Sequence, residues 1–188
     1  MAEQYNLQTL IGITGPATAG KDTAAACLVH NFGFKRYALA DNLKAAACYI
    51  FGVTDFDIQN RKETKVPFWD KSPRELLQLM GTQAMRETFG PDIWVKSLTK
   101  NIIDTHPQKV VVTDIRFDNE AEWIKKTGGV IWKIERDAAA KVAAHVSEDG
   151  IDDKLVDVVF NNNDTIEALY EQLIREYMAN LIENLANK

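Results

Sequence analysis

The stretch Gly15-Pro16-Ala17-Thr18-Ala19-Gly20-Lys21-Asp22-Thr23 decides the fold of this 188-residue chain. It follows the apolar run Leu10 to Thr14, which predicts a β-strand, and it leads into a segment ending near Phe32 that predicts a helix. Two glycines five residues apart, followed by a lysine, form the frame of a phosphate-binding loop. Glycine permits backbone angles and close approaches that a Cβ prevents, so successive N–H groups can converge on one phosphate. The stretch therefore predicts a strand, a phosphate loop and a helix, with Lys21 reaching the β- and γ-phosphates.

The position after the lysine departs from the strict pattern, which has Ser or Thr there. Asp22 occupies it, and Thr23 follows. A carboxylate can bind Mg²⁺ directly or through water, so Asp22 is a candidate metal ligand. The alternative is an acidic residue favoured at a helix start by the helix dipole alone. Thr23 is expected to donate to an α-phosphate oxygen. The residues expected to contact the nucleotide phosphates are Gly15, Ala17, Ala19, Gly20, Lys21, Asp22 and Thr23.

Further apolar runs alternate with helical patterns along the chain. Such alternation requires crossover connections, so it predicts an α/β protein with three layers: a five-stranded, mainly parallel sheet flanked by helices. Val110-Val111-Val112 is continuously apolar, as a strand covered on both faces should be. The strands predicted after the first are Arg36 to Leu39, Val110 to Asp114, Val130 to Ile134 and Val156 to Phe160.

Two helix starts carry strong capping signals. Ser72-Pro73-Arg74-Glu75 combines an N-cap serine, a first-turn proline and a glutamate three residues after the cap. It predicts one helix from Ser72 to Phe89, with Gly90 as its stop. Asp164 and Glu167 have the same spacing and are predicted to begin the last helix.

Composition narrows the function classes. Asp and Glu total 27 against 22 Lys and Arg, giving a formal net charge of −5. This balance argues against a protein that coats a nucleic-acid backbone. The two cysteines, Cys27 and Cys48, have no CxxC spacing that would predict a zinc site or a disulfide framework. The sequence shows no secretory or membrane-spanning pattern, so we expect a cytoplasmic protein without a membrane partner.

Ligands of parallel sheets bind beyond the carboxyl ends of the strands, which makes the residues there the candidates for chemistry. Arg116 follows the third predicted strand, and a guanidinium suits an acceptor phosphate. Asp114 ends that strand and can order Mg²⁺ waters, or cap the following loop instead. Arg74 opens a helix, where a cation opposes the dipole, so a functional role is favoured. Asn161 to Asn163 follow the fifth strand, where an amide could bond an adenine edge or cap a helix.

Several blocks of this sequence, in order over nearly the whole chain, resemble the deoxynucleoside monophosphate kinases of tailed bacteriophages. The Lys-Asp-Thr ending of the loop is similar to that family's own version. The blocks are Gly20 to Thr23, Tyr37 to Ala40 with Lys44, Arg74 to Thr82, Trp94 to Lys96, Asp114 to Glu120 and His145 to Glu148.

The resemblance implies a single P-loop kinase domain over residues 1–188 that transfers the γ-phosphoryl group of ATP to a deoxynucleoside monophosphate. It implies ATP with Mg²⁺, an acceptor-binding region at about 41–105 and a lid-like segment at about 136–153. A homodimer is an open possibility. The catalytic residues would be Lys21, Arg74 and Arg116. Arg136 would join the donor site, and Asp22 and Asp114 the metal. The acceptor residues would be Lys44, Arg61, Arg74, Trp94, Asp114, Arg116 and Glu120.

Alternatives exist for individual residues and for the function. Arg61 could be solvated surface, Trp94 core, and Glu120 a first-turn acid without a ligand. Another small-molecule P-loop kinase, of the dephospho-coenzyme A or phosphomevalonate type, would need a carboxylate base, and Asp41 could supply it. A GTPase switch or regulatory module would carry an Asn-Lys-x-Asp motif, and none occurs in the sequence.

Overall fold

The computed structural model describes residues 7–137 and 150–186. Its contacts divide the chain into two compact units: the described residues up to Tyr37 and from Ile102 onward form unit 1, and Ala38–Asn101 form unit 2. The strands are β1 (Thr9–Thr14), β2 (Lys35–Tyr37), β3 (Lys109–Val112), β4 (Val130–Glu135) and β5 (Val158–Asn161). The helices are α1 (Lys21–Phe32), α2 (Asp41–Phe51), α3 (Asp55–Asn60), α4 (Pro73–Gln78), a π-helix (Leu79–Arg86), α5 (Glu87–Phe89), α6 (Ile93–Thr105), α7 (Asp118–Lys126), a 3₁₀ turn (Asp153–Leu155) and α8 (Ile166–Ala186).

Unit 1 is built on one sheet with the strand order β2-β3-β1-β4-β5, and all four of its pairings are parallel. The predicted α/β class and five-stranded sheet are confirmed. Val110, Val111 and Val112 are fully buried, because helices cover both faces of the central strands. The order places β1 between β3 and β4, so the chain reverses its direction of winding at the carboxyl end of β1, where such folds bind ligands.

The core of unit 1 comes from the sheet and the two helices packed on it. Ile11 and Ile13 of β1 lie against Leu28 of α1 and Leu169 and Leu173 of α8. The last helix begins at Ile166, and the cap is Thr165, whose hydroxyl accepts from the Ala168 amide at 3.2 Å. The predicted cap at Asp164 is therefore off by one residue.

Unit 2 is helical and has a small core of Ala47, Val53, Ile58 and Leu76. The capping box at Ser72 is confirmed: its hydroxyl accepts from the Glu75 amide at 3.3 Å, and Glu75 Oε2 accepts from the Ser72 amide at 2.7 Å.

The uninterrupted helix predicted from Ser72 to Phe89 is wrong, because its middle is the eight-residue π-helix. Gly81 lies in that stretch, is buried, and packs so closely on Leu43 that a Cβ would meet Leu43 Cδ2 at 2.7 Å. Its carbonyl accepts the indole N–H of Trp94 at 3.0 Å. A tertiary contact thus engages the backbone where the local pattern predicts α-helix.

None of the helices within residues 7–137 and 150–186 has an apolar stretch long enough to cross a membrane.

Candidate functional site

The loop after β1 depends on two glycines. Gly15 has φ +135° and Gly20 has φ +104°, backbone angles that side chains rarely allow. A Cβ on Gly15 would collide with the carbonyl oxygen of Ile134 in β4, and one on Gly20 would collide with the side-chain amide of Asn162. Both glycines are therefore needed for conformation and for close approach, and together they let the loop turn tightly into α1.

Lys21 folds back over this loop. Its ammonium donates to the carbonyl oxygens of Gly15 and Pro16, both at 2.7 Å. These neutral acceptors hold the cation at the mouth of the loop. Phosphate oxygens are anionic and make stronger hydrogen bonds to an ammonium, so the same group can exchange a carbonyl for a phosphate.

A cavity of about 430 Å³ opens beside the loop. It brings together the predicted residues Lys21, Asp22, Thr23 and Arg136, although Arg136 is distant from the others in sequence. Its full lining is Thr18, Gly20, Lys21, Asp22, Thr23, Arg136, Asn162, Asp164 and Ile166. Thr18 belongs to the predicted loop but was not named as a phosphate contact, and Asp164 and Ile166 were not predicted for this site. Asp164 and Ile166 follow β5, so the rule that ligands bind beyond strand ends could have found them.

The loop after β5 is held by its asparagines. The Asn162 side-chain amide donates to the carbonyl of Ala19 in the phosphate loop at 2.7 Å. The Asn162 backbone amide donates to the carbonyl of Glu135 at 2.8 Å. Asn163 Oδ1 accepts from the backbone of Asp137 at 2.8 Å. This loop thus connects the phosphate loop to the segment that carries Arg136.

The segment after β3 carries Asp114, Arg116 and Glu120. Asp114 and Arg116 are half-buried, whereas Glu120 is only 2% exposed. Glu120 Oε2 accepts from the backbone amides of Arg116 at 2.8 Å and Phe117 at 3.2 Å. These bonds account for a buried carboxylate without any ligand, as the first-turn alternative expects, and they fix the backbone from which Arg116 extends.

Thr14 and Lys133 stabilise the strand ends around the loop. The Thr14 hydroxyl donates to the Ile115 carbonyl at 2.9 Å, which joins the end of β1 to the segment after β3. Lys133 Nζ lies 2.8 Å from Asp153 and 3.0 Å from Glu135, and hydrogen bonds to these carboxylates raise the pKa of its ammonium. These non-covalent contacts join the carboxyl ends of β1 and β4 to the segments beside them.

In unit 2, the predicted residues are tied to neighbours within that unit. Arg74 Nε lies 2.5 Å from Glu63 Oε1. Trp94 is 7% exposed and bonded to Gly81, which matches the core alternative. The guanidinium of the exposed Arg61 lies 5.2 Å from the Phe56 ring centre, and Lys44 is half-buried. Their roles toward an acceptor stay predictions.

Residues 138–149, which make up most of the predicted lid-like segment, lie outside the described residues. Of the segment's C-terminal side, Asp152 donates its backbone N–H to Asp118 Oδ1 at 2.8 Å.

The deoxynucleotide monophosphate kinase family matches residues 57–173, more than half of the chain. A deoxynucleotide monophosphate kinase of Acanthamoeba polyphaga mimivirus is 38% identical over 88% of this chain and 94% of its own length. The deoxynucleoside-5'-monophosphate kinase of Escherichia phage T5 is 25% identical over 64% of this chain and 73% of its own length.

A solved structure, dephospho-CoA kinase from Campylobacter jejuni, superposes with a TM-score of 0.51 and 16% identity, covering 93% of this chain and 98% of that one. At this identity the likeness concerns the fold alone. The sequence comparisons go further: the family match covers Arg74, Asp114, Arg116 and Arg136, and the mimiviral relative aligns with 88% of the chain. This chain belongs to the deoxynucleotide monophosphate kinase family.

Proposed function

We propose that this protein transfers the γ-phosphoryl group of ATP to a deoxynucleoside 5′-monophosphate, giving the diphosphate and ADP. Membership of the family makes it a phosphotransferase that acts on nucleotide monophosphates with a nucleotide phosphate donor. The observation that carries the proposal is the cavity beside the phosphate loop, in which Lys21, Asp22, Thr23 and Arg136 meet.

The donor phosphates would lie on the backbone N–H groups of residues 15–23, at the N-terminus of α1. The helix dipole favours anions there, and Lys21 can turn from the Gly15 and Pro16 carbonyls to the β- and γ-phosphates. Lys21 would then stabilise the charge that develops as the γ-phosphoryl group leaves. Asp114 lies two residues beyond the end of β3, the strand beside β1, and supplies a further carboxylate of unit 1.

The donor set of the cavity fits Mg²⁺ bound together with the nucleotide. Within the described residues no group of three His, Cys, Asp or Glu side chains could hold a metal by itself. Mg²⁺ in phosphoryl-transfer sites is bound by one or two protein oxygens with the substrate phosphates and water. Asp22 and Thr23 line the cavity and would supply such oxygens, and Asp114 would hold the ion's waters. When bound, the ion neutralises phosphate charge.

Two residues that line the cavity suit the donor base. Ile166 is 56% exposed, and an exposed apolar side chain is stabilised when a flat base covers it. Arg136 lines the same cavity, and its guanidinium can stack on a base. We therefore assign Arg136 and Ile166 to the adenine end of the donor site.

The acceptor is a phosphate and needs no general base, because its attacking oxygen is already anionic. It needs cations that bring two anions into line. We assign Arg116 this role in unit 1, since Glu120 fixes its backbone. We assign Arg74, Lys44, Arg61 and Trp94 of the region 41–105 to the acceptor on the strength of the sequence, and the segment 136–153 to closure over bound nucleotides.

The proposed substrate is a free nucleotide in the cytoplasm, and no nucleic-acid polymer or membrane is a proposed partner. The net charge of −5 supports the exclusion of a nucleic-acid polymer, because proteins bind such polymers through cations that neutralise many phosphates. Sedimentation velocity decides between a monomer and a homodimer.

The proposal is tested by measuring ADP release with ATP and a panel of deoxy- and ribonucleoside monophosphates, with dephospho-coenzyme A and phosphomevalonate as controls. Activity with one or more deoxynucleoside monophosphates is expected. Activity only with a non-nucleotide acceptor would contradict the proposal.

Arg116→Ala tests the acceptor assignment. It should lower kcat/KM for the acceptor by roughly 10- to 100-fold, the cost of a lost charge-assisted bond, and leave the Kd for ATP unchanged. A weakened affinity for ATP would assign Arg116 to the donor instead.

A further inference from the structure

Asn162 joins two segments that are 143 residues apart in the sequence. Its side chain contacts the phosphate loop, whereas its backbone belongs to the loop after β5. The Asn162 amide nitrogen donates to the carbonyl oxygen of Ala19 at 2.7 Å. Ala19 is fully buried, so this carbonyl depends on a protein partner rather than on water.

The bond to Ala19 has a consequence for the next residue of the loop. The Ala19 carbonyl and the Gly20 N–H belong to one planar trans peptide group and point in opposite directions. A partner that holds the carbonyl therefore also sets the direction of the Gly20 N–H. That N–H is among the donors with which a loop of this type binds phosphate.

Asn162 can hold the loop because it is itself held. Its backbone donates to Glu135 at 2.8 Å. On either side of it, Asn161 Oδ1 accepts from the Asn163 backbone at 3.1 Å, and the Asn161 carbonyl accepts from Gln172 of α8 at 3.0 Å. The loop after β5 is thus anchored to β4 and to α8 by bonds that do not involve the phosphate loop.

The close approach also restricts the residue at position 20. A Cβ on Gly20 would collide with the Asn162 amide. Position 20 therefore needs glycine for two reasons: its φ is positive, and Asn162 packs directly against it.

We propose that Asn162 is a positioning residue: through the Ala19 carbonyl it holds the phosphate loop in the conformation that binds the donor phosphates. The proposal rests on the proposed binding of ATP by this loop. Asn162 lines the cavity, and one of its two side-chain N–H groups donates to Ala19; the role proposed is the one that this bond exerts through the loop backbone.

The first experiment measures ATP and inorganic tripolyphosphate binding by calorimetry for Asn162→Ala. One lost hydrogen bond should raise both dissociation constants about two- to tenfold, because both ligands use the loop. The KM for the acceptor should not change. Asn180→Ala is the matched control, since the Asn180 amide bonds only within α8, to Glu176, and this variant should bind ATP as the wild type does.

Asn162→Asp gives a readout that a general packing defect would not produce. The charged carboxylate cannot donate to the Ala19 carbonyl and repels it, whereas the protonated acid can donate. At pH 8 the aspartate variant should bind ATP more weakly than Asn162→Ala, and this deficit should shrink as the pH falls toward the ordinary aspartate pKa of about 3.9. The ratio of the two variants at each pH cancels the titration of ATP itself.

Unchanged ATP binding in Asn162→Ala, equal weakening for ATP and acceptor, or a pH-independent ratio between the two variants would overturn the positioning role. If the wild-type protein binds ATP and the variants give any of these results, only the positioning role of Asn162 is contradicted and the proposed function stands. A wild-type protein that binds neither ATP nor tripolyphosphate contradicts the proposed function and this inference together.

Discussion

Units 1 and 2 hold their candidate functional groups in different ways. In unit 1 the phosphate loop is shaped by backbone: Gly15 and Gly20 have positive φ, and β4 and Asn162 approach where a Cβ would not fit. In unit 2 side chains do this work: Trp94 engages the π-helix, Glu63 pairs with Arg74, and Ser72 with Glu75 caps α4. From this comparison we expect that truncating a candidate side chain mainly lowers the rate of phosphoryl transfer in unit 1 and mainly lowers local stability in unit 2.

The largest effect is expected for Lys21→Ala in unit 1. Loss of the cation that reaches the transferred phosphoryl group should lower kcat by roughly 10²- to 10³-fold. The melting temperature should change little, because the Gly15 and Pro16 carbonyls that accept from Lys21 lie in part-buried and exposed surroundings, where water can replace the ammonium. Steady-state kinetics and thermal unfolding measure the two effects.

The control is Lys126→Ala, an exposed lysine of α7 paired with Glu122. It should retain full activity. Phosphoryl transfer that survives in Lys21→Ala would show that the loop is not the donor site.

The next largest effect is expected for Arg74→Ala, which tests whether a side chain of unit 2 binds the acceptor phosphate. Arg74→Ala should lower kcat/KM for the acceptor by about 10- to 100-fold if the guanidinium binds phosphate. Glu63→Gln is the matched control, because it breaks the same ion pair and leaves the cation. Equal kinetics in the two variants would mean that Arg74 serves only the ion pair with Glu63 and does not bind the acceptor.

Trp94→Phe keeps an aromatic ring for the acceptor and removes the indole donor, so its main effect should be on stability. It leaves the buried Gly81 carbonyl without the indole donor, which should cost about 1–3 kcal/mol in the free energy of unfolding. Urea denaturation measures the loss. Trp123→Phe, a half-buried tryptophan of α7 in unit 1, is the comparison variant. If both cost the same, the bond to the π-helix adds nothing beyond ring burial.

The smallest effect concerns the cap of α4 and depends on pH. Hydrogen bonds from Ser72 lower the pKa of the Glu75 carboxyl. Its stabilisation should therefore be present above the unfolded pKa of about 4.3 and disappear as the pH falls through the lower folded pKa. The melting temperature of the wild type should exceed that of Glu75→Gln at pH 6, and the difference should shrink toward pH 3.

Glu122→Gln, which removes a helix carboxylate that caps nothing, should show a smaller difference at pH 6. Ser72→Ala should cost about 1 kcal/mol at pH 6 through the lost cap. A pH-independent difference between wild type and Glu75→Gln would contradict the capping role of the charge.

Much of unit 1 could be predicted because its signals are local. The glycine spacing with Lys21 predicts the loop, and the apolar run Val110 to Val112 predicts a strand buried on both faces. Residues with no local motif were missed: Ile166 is an ordinary apolar residue at a helix start, and only its position after β5 pointed to the site.

The sequence by itself determined the α/β class, the phosphate loop, the capping box at Ser72 and the family, since each depends on residues close together in the chain or on matching order along it. The tertiary structure decided three other features: the strand order that leaves β1 between β3 and β4, the π-helix where α-helix was predicted, and the meeting of Arg136 and Asn162 with the loop. Each of these depends on contacts between segments far apart in sequence, such as Trp94 with Gly81 and Asn162 with Ala19. Local propensity contains no information about such partners, because these contacts stabilise the protein only after the fold has brought the distant segments together.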